Sequence, residues 1–241
     1  MWARAKGLNL DVLELDVTRD DSVTAAVEEA YLKAGRIDVV VNNAGASARG
    51  PLEAFSIEEM QDLFNLNAFG PMRVDKAVLP AMRARRSGLL IHVSSTLGRV
   101  LPGSGGLYPS TKWALEGLVE SLHYQVQPFG VEAILVEPGS YPTPATGKAA
   151  HASGAEISRE YEAVAPPPSR TGSHPLPQSA NQEVADAIKE LIDLPAGTRP
   201  LRTVVGSVFT EGVAEYNECY EATKARLRST LNRVASPGPR V

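Results

Sequence analysis

The feature that most constrains this chain is a regular alternation of strand-like and helix-like segments. Short apolar runs with strand character lie at 10–17, 37–41, 89–93, 131–136 and 201–205. Segments with helical periodicity or caps follow them, at 22–33, 56–86, 109–129, 181–194 and 213–234. Strands that alternate with helices of this length indicate a parallel sheet covered by helices on both faces. The pattern therefore predicts a single α/β domain over residues 1–241, with ligands bound outside the carboxyl ends of its strands.

The longest predicted helix carries both its own start signal and two potential breaks. It begins at Ser56, where a serine followed three residues later by Glu59 matches a capping box. Pro71 and Pro80 are predicted to bend or divide it, because proline lacks the backbone N–H that a helix interior uses. Gly88 ends it, and the next strand begins at Leu89.

The alternation fails between Pro138 and Pro177, where eight of the eighteen prolines lie. Long loops in compact domains are usually functional lids or disordered segments. We therefore predict a substrate lid over about residues 140–180, containing a short helix at 155–163. The helix at 213–234 would close the domain.

Composition and charge exclude several classes of protein. Cys219 is the single cysteine, so the chain has neither an internal disulfide nor a CxxC zinc motif. The balance of 24 Lys+Arg against 28 Asp+Glu leaves no positive excess for nucleic-acid binding. Residues 1–10 lack a signal-peptide pattern, and no run of about 18 apolar residues occurs. We expect a cytoplasmic protein that binds neither nucleic acid nor membrane. The histidines lack metal-ligand spacing, so no metal is expected, and His92 is predicted to pack in the core.

Residues that could take part in a reaction or bind a ligand follow three of the predicted strands. They are the segment 42–45, the pair Ser94 and Ser95, and the pair Pro138 and Gly139. Because the carboxyl ends of parallel strands meet at one edge of a sheet, these residues should border one crevice. The helix that begins near residue 109 adds Tyr108 and Lys112, which are four residues apart and therefore share one helix face.

These segments together resemble the short-chain dehydrogenase/reductase family. The matching features are GRIDVVVNNAG at 35–45, Ser95 thirteen residues before Tyr108, YPSTK at 108–112 and EPGSYPT at 137–143. They occur in the order that the family uses and cover nearly the whole chain. The resemblance implies a Rossmann-like doubly wound parallel sheet. It also implies an NAD(P)-dependent oxidoreductase that interconverts an alcohol and a ketone or aldehyde by hydride transfer.

The resemblance assigns the proton chemistry to three side chains. Tyr108 would be the acid/base at the substrate oxygen, and Lys112 would favour its phenolate by lowering the pKa of the phenol. Ser95 would hold and polarise the substrate oxygen, and the thirteen-residue interval favours it over Ser94.

A helix asparagine completes the catalytic set in the family, where it holds a water on the proton path to the lysine. Asn65 and Asn67 are both candidates, and the register of AVLPAM at 77–82 favours Asn67. The residues that the resemblance assigns to the NAD(P)H site are Asp16, Val17, Asn43, Ala44, Gly45, Tyr108, Lys112, Pro138, Gly139, Tyr141 and Thr143. The first two would contact adenine and the next three the adenosine ribose.

One part of the family pattern is missing from this sequence. Family members open with a strand, a TGxxxGxG turn, a helix and a second strand, and the glycine-rich turn holds the cofactor pyrophosphate. We therefore expect a sheet that lacks its first βαβ portion and binds dinucleotide weakly or not at all. The choice between NAD and NADP, which the missing strand makes, stays open.

The missing strands would leave a gap of about 14 Å between the segments 10–16 and 37–41. We expect the segment 10–16 to close this gap by pairing directly with 37–41.

Two explanations fit the missing segment. Met1 is an internal start, with on the order of 45 further residues before it, or the 241-residue chain is the whole product. The retained motifs favour the first. The second would make the protein a truncated, catalytically silent scaffold or interaction subunit. In either case the resemblance implies a homodimer or homotetramer built on the helices at 56–86 and 109–129. The expected substrate is a largely apolar alcohol or ketone whose identity stays open.

Overall fold

The computed structural model describes residues 7, 10–101, 106–141, 149–164, 181–206 and 210–235. The helices are α1 Asp20–Ala34, α2 Ile57–Phe64, α3 Gly70–Arg85, α4 Leu107–Val126, α5 Ala155–Val164, α6 Asn181–Asp193 and α7 Thr210–Ala235. The strands are β1 Val39–Asn42, β2 Ala48–Arg49, β3 Gly88–Val93, β4 Val131–Pro138, β5 Ala150–His151 and β6 Arg202–Val205. No helix in these ranges combines the length and apolar character needed to cross a bilayer.

The central sheet has four parallel strands in the order β1-β3-β4-β6. Strand β4 lies in the interior of the sheet, where Ile134 pairs with Ile91 of β3 and Val136 pairs with Thr203 of β6. A separate two-stranded pair joins β2 to β5, with Ala48 opposite Ala150. The predicted parallel sheet with flanking helices is confirmed.

Helices cover both faces of the sheet. On one face Leu90 and Leu135 pack against Met82 of α3 and Val119 of α4. On the other face the neighbouring strand residues, Ile91 and Ile134, pack against Leu191 of α6. Successive strand residues point to opposite faces, so a strand buried on both sides is apolar throughout.

The predicted strand at 10–17 is absent. Residues 10–16 have no regular structure, and Leu10, Val12 and Leu15 are 58%, 80% and 46% exposed. Within the described residues no strand pairs with the outer edge of β1. The expected pairing of 10–16 with 37–41 is therefore also wrong. An alternating pattern forms a strand only where a neighbouring backbone satisfies its N–H and C=O groups, and none is present here.

The long helix predicted at 56–86 is divided just before Pro71. The capping box forms, with the Ser56 hydroxyl accepting from the Glu59 N–H at 3.1 Å. A π-helical turn, Asn65–Phe69, then separates α2 from α3. Pro71 directly follows this turn, in the first turn of α3. Pro80 lies inside α3 without ending it.

The lid region is described only in part. The predicted short helix is confirmed as α5, and β5 precedes it. The Tyr161 hydroxyl of α5 donates to the Glu53 carboxylate at 2.8 Å. The Gly154 N–H donates to the Ala54 carbonyl at 2.9 Å. These contacts hold α5 against the short 3-10 turn that follows β2. Residues 142–148 and 165–180 of the predicted lid lie outside the described residues.

Candidate active site

The carboxyl ends of β3 and β4 and the first turns of α4 form the candidate site. Ser95 comes two residues after β3, and its side chain forms a hydrogen bond with Tyr108 of α4. Lys112, one turn further along α4, donates from Nζ to the Val93 carbonyl at 2.9 Å. The same Nζ lies 5.8 Å from the centre of the Tyr108 ring. The hydroxyl, the phenol and the ammonium therefore lie side by side. Ser94 is instead buried, and no hydrogen-bond partner for its hydroxyl occurs among the described residues.

Loss of solvent changes the ionisation of both titratable groups. Burial raises the pKa of Tyr108, although the hydrogen bond from Ser95 opposes this change. Burial lowers the pKa of Lys112 to about 8, and the negative charge of Glu116 acts in the opposite direction. In the protein alone the pKa of Tyr108 is raised, and the lowering by Lys112 that the resemblance implies stays a prediction. The ammonium is bonded to the Val93 carbonyl, and desolvation of the phenolate is the larger effect.

Asn67 lies in the π-helical turn and joins the segment after β1 to α4. Its Oδ1 accepts from the Ala46 N–H at 2.9 Å, and its Nδ2 donates to the Ala46 carbonyl at 2.9 Å and to Thr111 Oγ1 at 3.0 Å. The buried amide therefore connects the residue before Lys112 to the end of the NNAG motif. Asn65 instead directs its Nδ2 to the Thr18 carbonyl, at 3.5 Å.

The NNAG residues divide between the core and the surface. Asn42 is buried and donates from Nδ2 to Asp75 Oδ1 at 2.8 Å. Asn43, Ala44 and Gly45 are exposed. A Cβ added to Gly45 would lie 3.0 Å from Asn67 Oδ1 and 3.9 Å from Lys112 Nζ. The missing side chain thus leaves exposed backbone directly beside Asn67 and Lys112.

Asp16 and Val17, the expected adenine contacts, form a local turn before α1. The Asp16 carboxylate accepts from the Thr18 N–H at 2.9 Å and from the Thr18 hydroxyl at 2.6 Å, which keeps the Asp16 pKa below its usual value. Val17 is buried beside Val23 and Val74. Its side chain is therefore committed to the core.

The segment after β4 is tied to neighbouring elements at two points. The Gly139 N–H donates to the Val205 carbonyl at 2.9 Å. The Tyr141 hydroxyl donates to Glu183 Oε2 at 2.8 Å, and burial together with this carboxylate raises the pKa of Tyr141 to about 12. Pro138 is half-buried at the end of β4, and Thr143 lies outside the described residues.

Sequence reasoning missed a buried network beneath the NNAG segment, which we call the Asp75 network. Asp75 accepts from Asn42 on one oxygen, and His92 Nε2 lies 2.7 Å from the other. His92 Nδ1 lies 3.2 Å from the Ile134 carbonyl. The prediction that His92 packs in the core is confirmed. Within the described ranges no group of three His, Cys, Asp or Glu side chains could hold a metal ion.

A second buried network, the Arg202 cluster, was also missed. It consists of Arg99, Glu116, Glu120, Glu137, Arg202 and Asn217. Glu120 is also in contact with Tyr220 and Lys224 of α7. The members of the Arg202 cluster come from α4, β4, β6, α7 and the turn after β3. The available signal was the presence of the charged residues Glu137 and Arg202 at the ends of largely apolar strands, since unpaired buried charges are costly.

Known proteins resemble this chain in both sequence and fold. A family model described as short chain dehydrogenase matches residues 3–154. An uncharacterized oxidoreductase of Schizosaccharomyces pombe is 42% identical over 131 residues, covering 54% of this chain and 56% of its own. Retinol dehydrogenase 8 of Bos taurus is 42% identical over 144 residues, covering 60% and 46%. The chain thus spans about half the length of the curated relatives it matches.

Solved structures share the fold over more of the chain. A short-chain dehydrogenase from Streptomyces avermitilis is 29% identical with a TM-score of 0.68, covering 98% of this chain and 85% of its own. An alcohol dehydrogenase from the archaeon Thermococcus sibiricus, complexed with 5-hydroxy-NADP, is 26% identical with a TM-score of 0.64. That match covers 86% of this chain and 78% of the archaeal one.

Proposed function

The chain belongs to the short-chain dehydrogenase family, and from this premise we propose that it interconverts an alcohol and a ketone or aldehyde with NAD(P)(H). The observation that carries the proposal is the grouping of Ser95, Tyr108 and Lys112 at the carboxyl ends of the strands. These are the hydroxyl, acid and cation that such a reaction needs at the substrate oxygen.

Each of the three side chains has a role that follows from its surroundings. Ser95 would hold the substrate oxygen beside the phenol. Tyr108 would donate its proton to that oxygen during reduction, and the raised pKa keeps the phenol protonated for this purpose. In oxidation Tyr108 would take the proton back, and the neighbouring Lys112 ammonium would stabilise the phenolate. Asn67 would keep Lys112 and the NNAG segment in register through Ala46 and Thr111.

The residues present fit a nicotinamide cofactor. When bound, the cofactor would supply or accept the hydride. The exposed segment Asn43–Gly45 offers backbone without side-chain obstruction beside Lys112, because Gly45 lacks a Cβ at that point. The archaeal relative complexed with 5-hydroxy-NADP supports a dinucleotide ligand. The other residues proposed to hold it are Asp16, Val17, Tyr108, Lys112, Pro138, Gly139, Tyr141 and Thr143.

A largely apolar substrate suits the surroundings of Tyr108. Its ring packs beside a cluster that contains Phe55 and Leu107, with Ala46 and Ala152 at the border. The similarity to retinol dehydrogenase 8, whose name specifies an apolar alcohol, supports the same class of substrate. The lid at 140–180 would set specificity, because its β5 strand brings Ala152 into this cluster.

Three further expectations belong to this proposal. The chain would act as a single domain, would be cytoplasmic, and would assemble as a homodimer or homotetramer through the helices at 56–86 and 109–129. They stay predictions.

Replacement of Tyr108 by phenylalanine tests the proposal. The variant keeps the ring but lacks the proton, so turnover of apolar aldehydes and ketones should fall by about 10²–10⁴-fold. Turnover is followed by NADH or NADPH absorbance at high cofactor concentration, because the sequence predicts weak dinucleotide binding. Fluorescence titration of each cofactor should give the same affinity for Tyr108→Phe as for the parent chain. Tyr161→Phe, which removes a hydroxyl on α5, serves as the matched control.

Two outcomes would contradict the proposal. Undiminished turnover in Tyr108→Phe would remove Tyr108 from the proton step. A folded parent chain that binds neither NADH nor NADPH would favour the catalytically silent scaffold.

A further inference from the structure

The Arg202 cluster lies one helical turn from Lys112. Glu116 follows Lys112 by four residues on α4, so the two side chains share a helix face. Both are buried, at 2% and 6% exposure. The turn after β3 packs directly on this part of α4, because a Cβ added to Gly98 would lie 3.2 Å from Glu116 Cγ and 3.3 Å from the Lys112 carbonyl carbon. Glu116 is therefore buried one turn beyond Lys112, beneath the turn after β3.

Arg202 fixes the position of the Glu116 carboxylate. Its Nε donates to Glu116 Oε2 at 2.8 Å, and its Nη2 donates to Glu120 Oε2 at 2.7 Å. The guanidinium is itself buried and also lies 3.3 Å from Glu137 Oε1. A planar guanidinium held by several carboxylates has little freedom to move. The second oxygen, Glu116 Oε1, is buried without a hydrogen-bond partner in the described part of the chain.

This arrangement leaves a fixed negative charge in a region of low polarity close to Lys112. Opposite charges interact more strongly there than in water. Burial alone favours the neutral amine of Lys112, and the charge of Glu116 opposes that preference. Glu137 is not an equivalent source of charge, because burial and the nearby Glu116 raise its pKa to about 8.

We propose that Glu116 is a positioning residue for Lys112, in which a carboxylate fixed by Arg202 keeps Lys112 as an ammonium ion bonded to the Val93 carbonyl. The catalytic consequence rests on the proposed function. The effect on Lys112 itself does not, since it concerns only groups within the folded chain.

The groups that face this pair come from every element packed around it. Tyr108, Glu116 and Glu120 lie on α4, Arg99 in the turn after β3, Glu137 on β4, Arg202 on β6, and Tyr220, Glu221 and Lys224 on α7. Glu120 is the best control among them, because it has the same chemistry as Glu116 and also binds Arg202. Glu120 lies one turn further from Lys112, and its carboxylate also accepts a hydrogen bond from Lys224.

The test is an NMR titration of isotope-labelled lysine in the folded chain without cofactor. The Lys112 signal is assigned by its loss in Lys112→Arg. We expect Glu116→Gln to lower the pKa of Lys112 by about one pH unit. At pH 7 the ammonium fraction would fall from about nine-tenths to about one half. Glu120→Gln should leave the pKa of Lys112 near about 8.

An unchanged Lys112 pKa in Glu116→Gln would overturn the proposal, as would an equal fall in Glu120→Gln. Glu116→Asp keeps the charge but moves it away, so the pKa of Lys112 should fall by less than in Glu116→Gln. If Glu116→Gln does not fold, Glu116→Asp decides the question by itself, because it moves the carboxylate back by one methylene. A smaller fall in the Lys112 pKa would then support the proposal, and no fall would overturn it.

The pH profile of turnover gives the catalytic reading. The change in turnover that accompanies loss of the Lys112 proton should move to lower pH in Glu116→Gln. In Glu120→Gln it should stay at the pH of the parent chain. A shifted NMR titration without any turnover in the parent chain would refute the proposed function but leave the inference about Glu116 intact.

Discussion

The two buried polar networks differ in how completely their buried polar atoms are hydrogen-bonded. In the Asp75 network one acid meets one amide and one imidazole, and both nitrogens of His92 face oxygen acceptors. In the Arg202 cluster three buried carboxylates converge on the same guanidinium, which the exposed Glu221 also contacts. There Glu116 Oε1, Glu137 Oε1 and Arg99 Nη2 are buried without a hydrogen-bond partner among the described residues.

The difference indicates that the Asp75 network stabilises the structure, whereas the Arg202 cluster sets the electrostatic environment of its neighbours. A fully satisfied buried network rigidifies its surroundings, and the Asp75 network joins α3 to the ends of β1 and β3 in this way. A cluster with unmatched buried charges has an energy that depends on protonation. The first network supports the NNAG segment, and the second lies beside Lys112.

The largest effect on stability is expected from Arg202→Met. The substitution leaves Glu116 and Glu120 buried without their shared cation, and breaking such a pair costs about 3–5 kcal/mol in the free energy of unfolding. Urea denaturation measures it. Arg36→Met breaks an exposed pair with Asp38 and should cost at most about 1 kcal/mol. Equal losses in the free energy of unfolding in the two variants would show that the buried Arg202 cluster contributes no more than an exposed ion pair.

A smaller loss is expected from Asp75→Asn. The variant keeps the shape of the side chain but loses the carboxylate that serves Asn42 and His92, which should cost about 1–3 kcal/mol. Asp193→Asn, whose partner Lys189 is exposed, is the control and should leave the free energy of unfolding nearly unchanged. A loss as large as that of Arg202→Met, measured by the same denaturation, would show that the two networks are not different in kind.

The smallest change in the free energy of unfolding near pH 5 is expected from Glu137→Gln, because the new side chain keeps an acceptor for the Asn217 amide. Its signature is in the pH dependence. The folded pKa of Glu137 is raised from 4.5 to about 8, so the folded state holds a proton that the unfolded state has released. This contribution is complete below pH 4.5 and is lost as the pH rises to about 8.

Glu137→Gln should therefore remove a decline in stability between these pH values, as measured by denaturation at a series of pH values. Glu120 acts in the reverse sense. Its pKa is lowered to about 2 by Lys224 and Arg202, although burial opposes them. Its contribution is lost as the pH falls from 4.5 towards about 2. The decline above pH 4.5 should thus persist in Glu120→Gln, and its persistence in Glu137→Gln would contradict the assignment.

The sequence predicted those elements whose signals are local. The capping residues Ser56 and Glu59, the apolar strands β3 and β4, and the one-turn spacing of Tyr108 and Lys112 all depend on near neighbours in the chain. The segment 10–17 has the same kind of local signal but forms no strand, because strand formation needs a second backbone beside it. The π-helical form of the turn at Asn65–Phe69, just before Pro71, was not predicted.

Both buried networks depend on distant pairs. Asn42 and Asp75 are separated by 33 residues, and Glu116 and Arg202 by 86. A strand-end glutamate and a lone strand arginine signal that partners exist, but their identity follows only from the order of the strands and the packing of α7.

The sequence predicted the type of fold from periodicity alone, because periodicity depends on the geometry of single helices and strands. The family, and the choice of a hydroxyl, a phenol and an amine at the ends of the strands, followed from the resemblance of the motifs to short-chain dehydrogenases. The tertiary structure decided how those groups ionise. It raises the pKa of Tyr108, lowers that of Lys112 and sets Glu116 against that lowering. Desolvation and charge depend on every side chain that surrounds a group, and those neighbours are assembled only when the chain folds.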